Sequence, residues 1–463
     1  MSYLNEEIKE AAIILSRAEI FRTSTRNLFF KRAQKEKAKY ADRKFYNTVY
    51  HLVMETIRRK NKLDAYLDLI FAHEPLSLTI FQTALARIIV YIRKEQEYRT
   101  KKRPSLNHLL AAAKKLFAEK MDENGFTSLI EVLQRIDATD EQDLLRSRNE
   151  LEQLSLLYLH PKWFVKMLSE LIGTKDAVKL LETNNKKQPV WIRIVNYPKD
   201  STEGANVKEE LAGEGLSVIA DQDFEDVLMV AQSKKPVVFA SPFKAGKIVI
   251  QNKASSAVTH ILQPFPGSTV VDLAAAPGMK SLHIWEKMEM SGALVLLDIS
   301  AKRARTLNKR ARKYTPTNRI LPHMIHADSV SPPLRLEIAD RVLVDAPCSS
   351  SGIIGMYPDH KWRPASLAKK LSVIQLKLLD TALKLLKKGG IGVYSVCSLN
   401  PEEGEFVISE MLQKYDNVEL LNPGYGNGAY NVGIPELRLC RRTFPHTNGT
   451  DGFFYCKFSK KWK

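Results

Sequence analysis

Two cysteines stand at the ends of apolar strand-like runs, Cys397 in YSVCSL and, about fifty residues earlier, Cys348 in DAPCSSSG. Two thiols at the ends of neighbouring strands, one of them three residues after Asp345, point to thiolate addition to a ring carbon. The other two cysteines are Cys440 and Cys456, and no C-x-x-C spacing occurs. That pattern argues against zinc, leaving no expected metal site, and more strongly against a disulfide framework. A lone strand cysteine is more often core filling, since free Cys is among the most buried residue types. Here the neighbouring motifs favour chemistry.

The elements that must position these thiols begin at Ser268. Strands and helices alternate through STVVDLAAA, HIWEKMEM, ALVLLDIS, AKRARTLNKRARKY, ILPHMIHAD, RVLVDAPC, LAKKLSVIQLKLLDTALKLLKK, GIGVYSVCS and PEEGEF. Continuous apolar strands between amphipathic helices predict a largely parallel sheet covered on both faces, a doubly wound, Rossmann-like α/β domain over residues 251–463. From Glu6 to about Ser155 apolar residues recur at three and four, which predicts an all-α bundle over residues 1–155. Between them, PVWIRIV, VKEELAGEG and LSVIADQDFEDVLMVA predict a small α+β module over residues 156–250.

VVDLAAAPGMKS reads as a strand, a turn of small residues and a helix. Ala274, Ala275, Ala276, Pro277 and Gly278, followed by Met279 and Lys280, let a ligand approach free helix N–H groups at the carboxyl end of the first strand. The turn matches neither G-x-G-x-x-G nor the P-loop, which argues against dinucleotides and triphosphates. Asp298 ends the next strand where an acid can accept both ribose hydroxyls, and Asp328 ends the third, near the adenine. S-adenosylmethionine fits this arrangement better than NAD. Either Asp alone would read as a helix cap. The following helix carries Lys302, Arg303, Arg305, Lys309, Arg310, Arg312 and Lys313 with no acid, and Arg303 is placed to reach the cofactor.

Cytosine C5 is a poor nucleophile, but a thiolate added at C6 turns the ring into an enamine that can attack a sulfonium methyl. Cys397 and Cys348 supply a nucleophile and an eliminating partner. Asp345, protonated or sharing a proton, can hydrogen-bond N3, and Lys280 can meet the base oxygen or the charge developing in the ring.

The chain has 463 residues, with 70 Lys and Arg against 52 acidic residues, a formal charge of +18 and a pI near 9.5. That balance favours an anionic polymer, nucleic acid first. Between Lys31 and Lys62 eleven basic residues face three acids. The run reads equally as an RNA-facing surface or a solvated helix face. Acidic residues near the N-terminus, no membrane-length apolar window and unpaired cysteines predict a soluble, cytoplasmic protein. We expect it to be a monomer.

DLAAAPGMKS, LDIS, HAD, DAPCSSSG followed by YPDHKW, YSVCSLNPEE and TDGFFYCKFSKK occur in the order found in the RsmB/Sun family of RNA cytosine-5 methyltransferases, which the chain resembles over about residues 160–463. The resemblance implies that Cys397 attacks C6 and that Cys348 assists product release. It also implies cofactor contacts from Ala274 to Lys280 and from Asp298, Asp328 and Asp345, with Arg303 a further candidate. Ribosomal RNA is the implied target, with transfer RNA or a silent RNA-binding assembly factor as alternatives. The N-terminal helices resemble a NusB-like RNA-binding domain, and the α+β module resembles the RRM-like module of the family. Asn252 stands where the family usually has Asp, Met279 where it has Gly, Ala274 where it has Cys, and Ser350–Ser351 where a Gly-Thr pair is common. We discern no PUA-like domain, which weakens the tRNA reading.

Overall fold

The computed structural model describes residues 2–72, 78–95, 109, 134–196 and 202–462. It forms two compact units, one comprising Met1–Asn185 with Ile354–Arg363, the other Lys186–Ile353 with Pro364–Lys463.

The described residues of the first unit are helical, as the periodicity predicts; residues 73–77, 96–108 and 110–133 of the predicted bundle lie outside the described residues. In the helix Arg43–Arg58 the residues Phe45, Val49, Leu52, Val53 and Thr56 are buried, a single apolar stripe. Phe45, Val49, Leu52 and Val53 join Ile8, Phe29, Leu63 and Leu85 in one core. Reciprocal capping boxes start the helices Ile80–Val90, through Thr79 and Gln82, and Glu150–Leu157, through Asn149 and Glu152. The helices Lys162–Ile172 and Thr174–Asn185 group here as well. So does the short segment after the Cys348 loop. Trp362 Nε1 donates to Ile57 O at 2.7 Å, and Lys361 Nζ donates to Leu159 O at 3.0 Å and Asn185 Oδ1 at 2.7 Å. Arg26 lies over the Tyr357 ring, 5.0 Å from its centroid.

Much of the basic run is turned to internal use. Arg32 and Lys39 converge on buried Glu10, Arg58 and Arg59 on Glu55, Lys60 on Glu19 and Lys62 on Glu95 and Glu141. The exposed remainder is Lys31, Lys35, Lys37, Arg43 and Lys44.

In the second unit, β1 (Val190–Ile194), β2 (Leu216–Ala220), β3 (Val227–Ser233) and β4 (Ile248–Ile250) form an antiparallel sheet in the order β2-β3-β1-β4. The larger sheet holds β5 (Thr269–Asp272), β6 (Ala293–Asp298), β7 (His323–His326), β8 (Ala339–Asp345) and β9 (Leu386–Val396) in the parallel order β7-β6-β5-β8-β9. Alternate residues serve opposite faces. Val270, Leu343 and Val393 pack with Ala254, Trp285 and Leu307, whereas Val271, Val342 and Tyr394 pack with Leu379 and Ile408. The sheet is therefore covered on both sides. It is more mixed than the strand pattern predicts, because the C-terminal β10 (Val418–Leu421), β11 (Asn427–Gly428), β12 (Arg441–Thr443) and β13 (Phe453–Lys460) continue it antiparallel from β9. These strands are joined by loops and short turns, which allow antiparallel neighbours; only parallel pairing needs a long crossover. The two sheets of this unit are tied by a buried pair, Arg193 with Glu286.

Glu10 collects Arg32, Lys39 and the Tyr40 hydroxyl. Burial opposes its charge, but these partners prevail and hold its pKa below the usual carboxylate range. We predict that Glu10→Gln costs the helical unit about 3 kcal/mol, the loss expected on removing one partner of a buried ion pair. Because the folded pKa is depressed, the wild-type advantage is complete above the unfolded value of about 4.3 and disappears as pH falls. Native-state hydrogen exchange of the helix Ser2–Ile20 at several pH values checks both statements. Replacing the five exposed basic residues with serine should change each local stability by no more than about 0.5 kcal/mol.

Candidate active site

Parallel pairing sets Asp345 of β8 level with Ser395 of β9. The chain leaves both strands at the same edge, and the loops that follow bring the two thiols together, Cys348 Sγ 3.2 Å from Cys397 Sγ, both cysteines being free. Ser350 Oγ lies 3.7 Å from Cys397 Sγ and 4.0 Å from Cys348 Sγ. The Gly352 N–H donates to Cys397 O at 3.0 Å, so the backbone of one loop is held to the other. Gly352 also meets Gly452 backbone to backbone: a Cβ on Gly352 would stand 1.8 Å from Gly452 O, which leaves glycine as the only residue that fits.

Lys280, in the first turn of the helix Met279–Lys287, reaches the same place from β5. Its Nζ donates to Asp345 Oδ2 at 2.7 Å, while Ser395 Oγ donates to Asp345 Oδ1 at 2.8 Å. Burial disfavours the Lys280 charge, but Asp345 and the Cys397 sulfur outweigh it and raise the lysine pKa. The ammonium persists.

The two thiols are not equivalent. The hydrogen bond between them lowers the pKa of Cys397, against burial and with help from Lys280, and raises that of Cys348 well above the ordinary thiol value, with burial adding to the rise. Ionisation is thereby favoured at Cys397 over Cys348. Charges nearby act on both sulfurs: Cys397 faces the Asp345 carboxylate, which opposes the lowering, and the Lys280 ammonium, which favours it, whereas Cys348 faces the carboxyl of Glu403, which adds to its rise.

The small-residue turn lies at the carboxyl end of β5. Gly278 adopts φ 102°, and a Cβ there would fall 2.0 Å from Leu307 Cδ1, so glycine is required for the turn to close on the helix behind it. Gly278 offers no side-chain cap, which leaves the first N–H groups of the helix for a ligand. Asp298, buried at the end of β6, accepts from Ala276 N at 3.1 Å and Ser300 N at 2.8 Å. Each oxygen thus takes one backbone donor and retains capacity for another. Arg303 donates to Ala276 O and lies 3.6 Å from Asp298, and Arg310 donates to Pro277 O at 2.9 Å. Ala275 and Ala276 are buried in the turn; Ala274, Met279 and Lys280 are half-buried, and Pro277 is exposed. Asp328 is exposed beyond β7 and accepts from Val330 N at 2.9 Å. The donor set fits S-adenosylmethionine: helix N–H groups and small residues suit an amino-acid moiety beside a sulfonium, and a strand-end carboxylate suits a ribose diol.

Three polar residues of this neighbourhood escape a reading of spacing alone. Asp272, which ends β5, is pushed up to about 7 by burial, although it accepts from Ser281 Oγ at 2.7 Å and Ala274 N at 3.2 Å. Asp451 is likewise pushed up to about 7 by burial, against the pull of Lys280. Asn252 accepts from Ala254 N at 2.9 Å, Thr450 Oγ1 at 2.5 Å and Asp451 N at 3.4 Å, so the amide oxygen does the holding. Asp272 ends a strand just as Asp298 does, and that shared position was the available signal.

The family model described as "16S rRNA methyltransferase RsmB/F" matches residues 259–459, and that of the "Methyltr_RsmF/B-like, ferredoxin-like domain" matches residues 160–237. The chain is 28% identical over 435 residues to "Probable ribosomal RNA small subunit methyltransferase B" of Bacillus subtilis, covering 89% of each. It is 30% identical over 311 residues to "Ribosomal RNA small subunit methyltransferase B" of Escherichia fergusonii, covering 66% of this chain and 67% of the relative. The crystal structure of PH0851 aligns with a TM-score of 0.80 at 26% identity, covering 98% of this chain and 99% of that one. No helix among the described residues is long and apolar enough to cross a membrane.

The unequal thiols yield a prediction. With Cys397 alkylation by iodoacetamide followed against pH, both Cys348→Ala and Lys280→Met should move the midpoint upward, Cys348→Ala further, because the sulfur–sulfur hydrogen bond is the larger cause. Mass spectrometry of the labelled peptide reads the outcome, and an unchanged midpoint in Cys348→Ala would contradict the assignment.

Proposed function

This chain belongs to the RsmB/F family of S-adenosylmethionine-dependent RNA methyltransferases, and we propose that it methylates C5 of a cytosine in small-subunit ribosomal RNA through a covalent Cys397–C6 intermediate. The observation that carries this reading is the 3.2 Å approach of Cys348 Sγ to Cys397 Sγ beside the Lys280–Asp345 pair. A methyltransferase acting on a nitrogen or oxygen has no use for two thiols in that relation. The naming of its relatives as ribosomal RNA small subunit methyltransferases supports the choice of RNA.

The residues divide the work as follows. Cys397, as thiolate, bonds to C6, and the C5=C6 π pair moves toward C5 and the ring carbonyl, where the Lys280 ammonium stabilises the added charge. When bound, S-adenosylmethionine supplies an electrophilic methyl group. With its sulfur committed to C6, Cys397 no longer shares the Cys348 proton, and Cys348 gives that proton up to water. Cys348 then takes the C5 proton; the C5–H pair re-forms C5=C6, and the C6–Sγ pair returns to Cys397. Both thiols end in their starting states, and one proton has been released overall.

Cys397→Ala should abolish methyl transfer and leave cofactor binding intact. Cys348→Ala should instead accumulate a denaturant-resistant protein–RNA adduct, visible as a slow band on a denaturing gel; its absence with RNA that wild type methylates would contradict the division of labour. Asp298→Ala should weaken S-adenosylmethionine by about 1.5–3 kcal/mol, the range for hydrogen bonds to a charged group. Calorimetry without RNA measures it. Bisulfite sequencing of RNA from cells lacking the gene should show one cytosine in the small-subunit RNA losing protection, and no change there would overturn the choice of substrate.

A further inference from the structure

Behind the two thiols lies a buried polar knot that takes no part in the bond changes above. Ser349 follows Cys348 and Ser398 follows Cys397, and both hydroxyls donate to Glu403 Oε2, that of Ser398 at 2.5 Å. The Ser349 N–H donates to Glu403 Oε1 at 2.7 Å. Asn400 Nδ2 adds a donor at 3.4 Å, and Gln375 Nε2 adds another at 3.2 Å while also holding Pro347 O at 2.8 Å. Glu403, Ser398 and Gln375 have no solvent exposure. One carboxyl therefore gathers donors from the residues next to both cysteines, and the carbonyl before Cys348 hangs from the same amide. A buried carboxyl is tolerated only while its acceptors are satisfied, so neither loop can shift without leaving it short of a donor.

We propose that Glu403 is the positioning residue of the two-thiol site: through Ser349 and Ser398 it holds the two loops so that the sulfurs stay within hydrogen-bonding distance. Glu403 touches neither sulfur. The proposal rests on the reading of Cys397 as nucleophile and Cys348 as its partner. Displacing one loop by a fraction of an ångström would weaken the sulfur–sulfur hydrogen bond and misplace Cys397 against the ring, a loss that can reach about 100-fold in rate for a misplacement of 1 Å.

The test uses full-length protein with Glu403→Gln, Ser349→Ala and wild type. Glu403→Gln replaces an acceptor with an N–H₂ group facing donors, whereas Ser349→Ala removes one tie and leaves the carboxyl with its other donors. Each is measured for S-adenosylmethionine affinity, for the pH profile of Cys397 alkylation without RNA, and for single-turnover methyl transfer at saturating RNA. The expected result is unchanged cofactor affinity, an alkylation midpoint moved upward, and a rate at saturation lowered by about 10–100-fold for Glu403→Gln, with a smaller change in the same direction for Ser349→Ala. Wild-type profile and rate in a Glu403→Gln protein that binds cofactor normally would overturn the proposal. If Glu403→Gln does not fold, Ser349→Ala decides by the same criteria. If wild type transfers no methyl group to RNA, the proposed function fails, while the alkylation profile still decides whether Glu403 governs the approach of the sulfurs.

Discussion

Parallel pairing of β8 with β9 is the constraint on which the site depends. Two strands that run the same way end at the same edge, so residues just past Asp345 and Ser395 emerge together, and Cys348 and Cys397 meet without any long excursion of the chain. Antiparallel neighbours would deliver them to opposite edges. The same directionality brings the small-residue turn after β5 and the carboxylate ending β6 to that edge, because β5 pairs in parallel with both β6 and β8. A slip of one residue between β8 and β9 would turn Asp345 away from Ser395 and exchange the residues facing the two cores, at the cost of burying the wrong set.

The support behind that edge is unusually polar. Arg442 and Glu405 form an ion pair with no exposure, and Arg442 also donates to Ser398 O at 2.8 Å, on the loop that carries Cys397. Buried ion pairs contribute little net stability compared with apolar packing, yet removing one partner commonly costs about 3–5 kcal/mol. Such a scaffold is a poor way to gain stability and an effective way to forbid small displacements. The apolar cores on both faces of the sheet supply the stability, and the polar groups supply register.

Much of this arrangement is legible in the amino-acid sequence, for a physical reason. Parallel strands buried on both faces read as continuous apolar runs, and their ends are marked by polar residues, Asp272, Asp298, Asp345 and Cys397 among them. The α/β layer follows from those runs, the α-bundle from apolar residues recurring at three and four, and the S-adenosylmethionine expectation from the small-residue turn together with the strand-end acids. What the chain conceals is pairing over distance. The basic run from Lys31 to Lys62 looks available because the acids that engage it, Glu10, Glu19, Glu95 and Glu141, lie far away in sequence. Asp298 looks like a ligand group alone, although two backbone N–H groups already use it. The antiparallel extension from β9 is hidden as well, since TDGFFYCKFSKK shows a strand but not its neighbour.

The helical unit is built from two stretches of chain that are far apart in sequence. Residues Ile354–Arg363, which follow directly on the Cys348 loop, belong to it, with Trp362 bonded to Ile57 and the buried Lys361 bonded to Leu159 and Asn185. The unit is therefore not a cassette that recombination could move by a single crossover near residue 185. A transplanted bundle would arrive without its own Ile354–Arg363 and would meet a stranger's in its place, so inheritance of the bundle is bound to inheritance of the loop that bears a thiol.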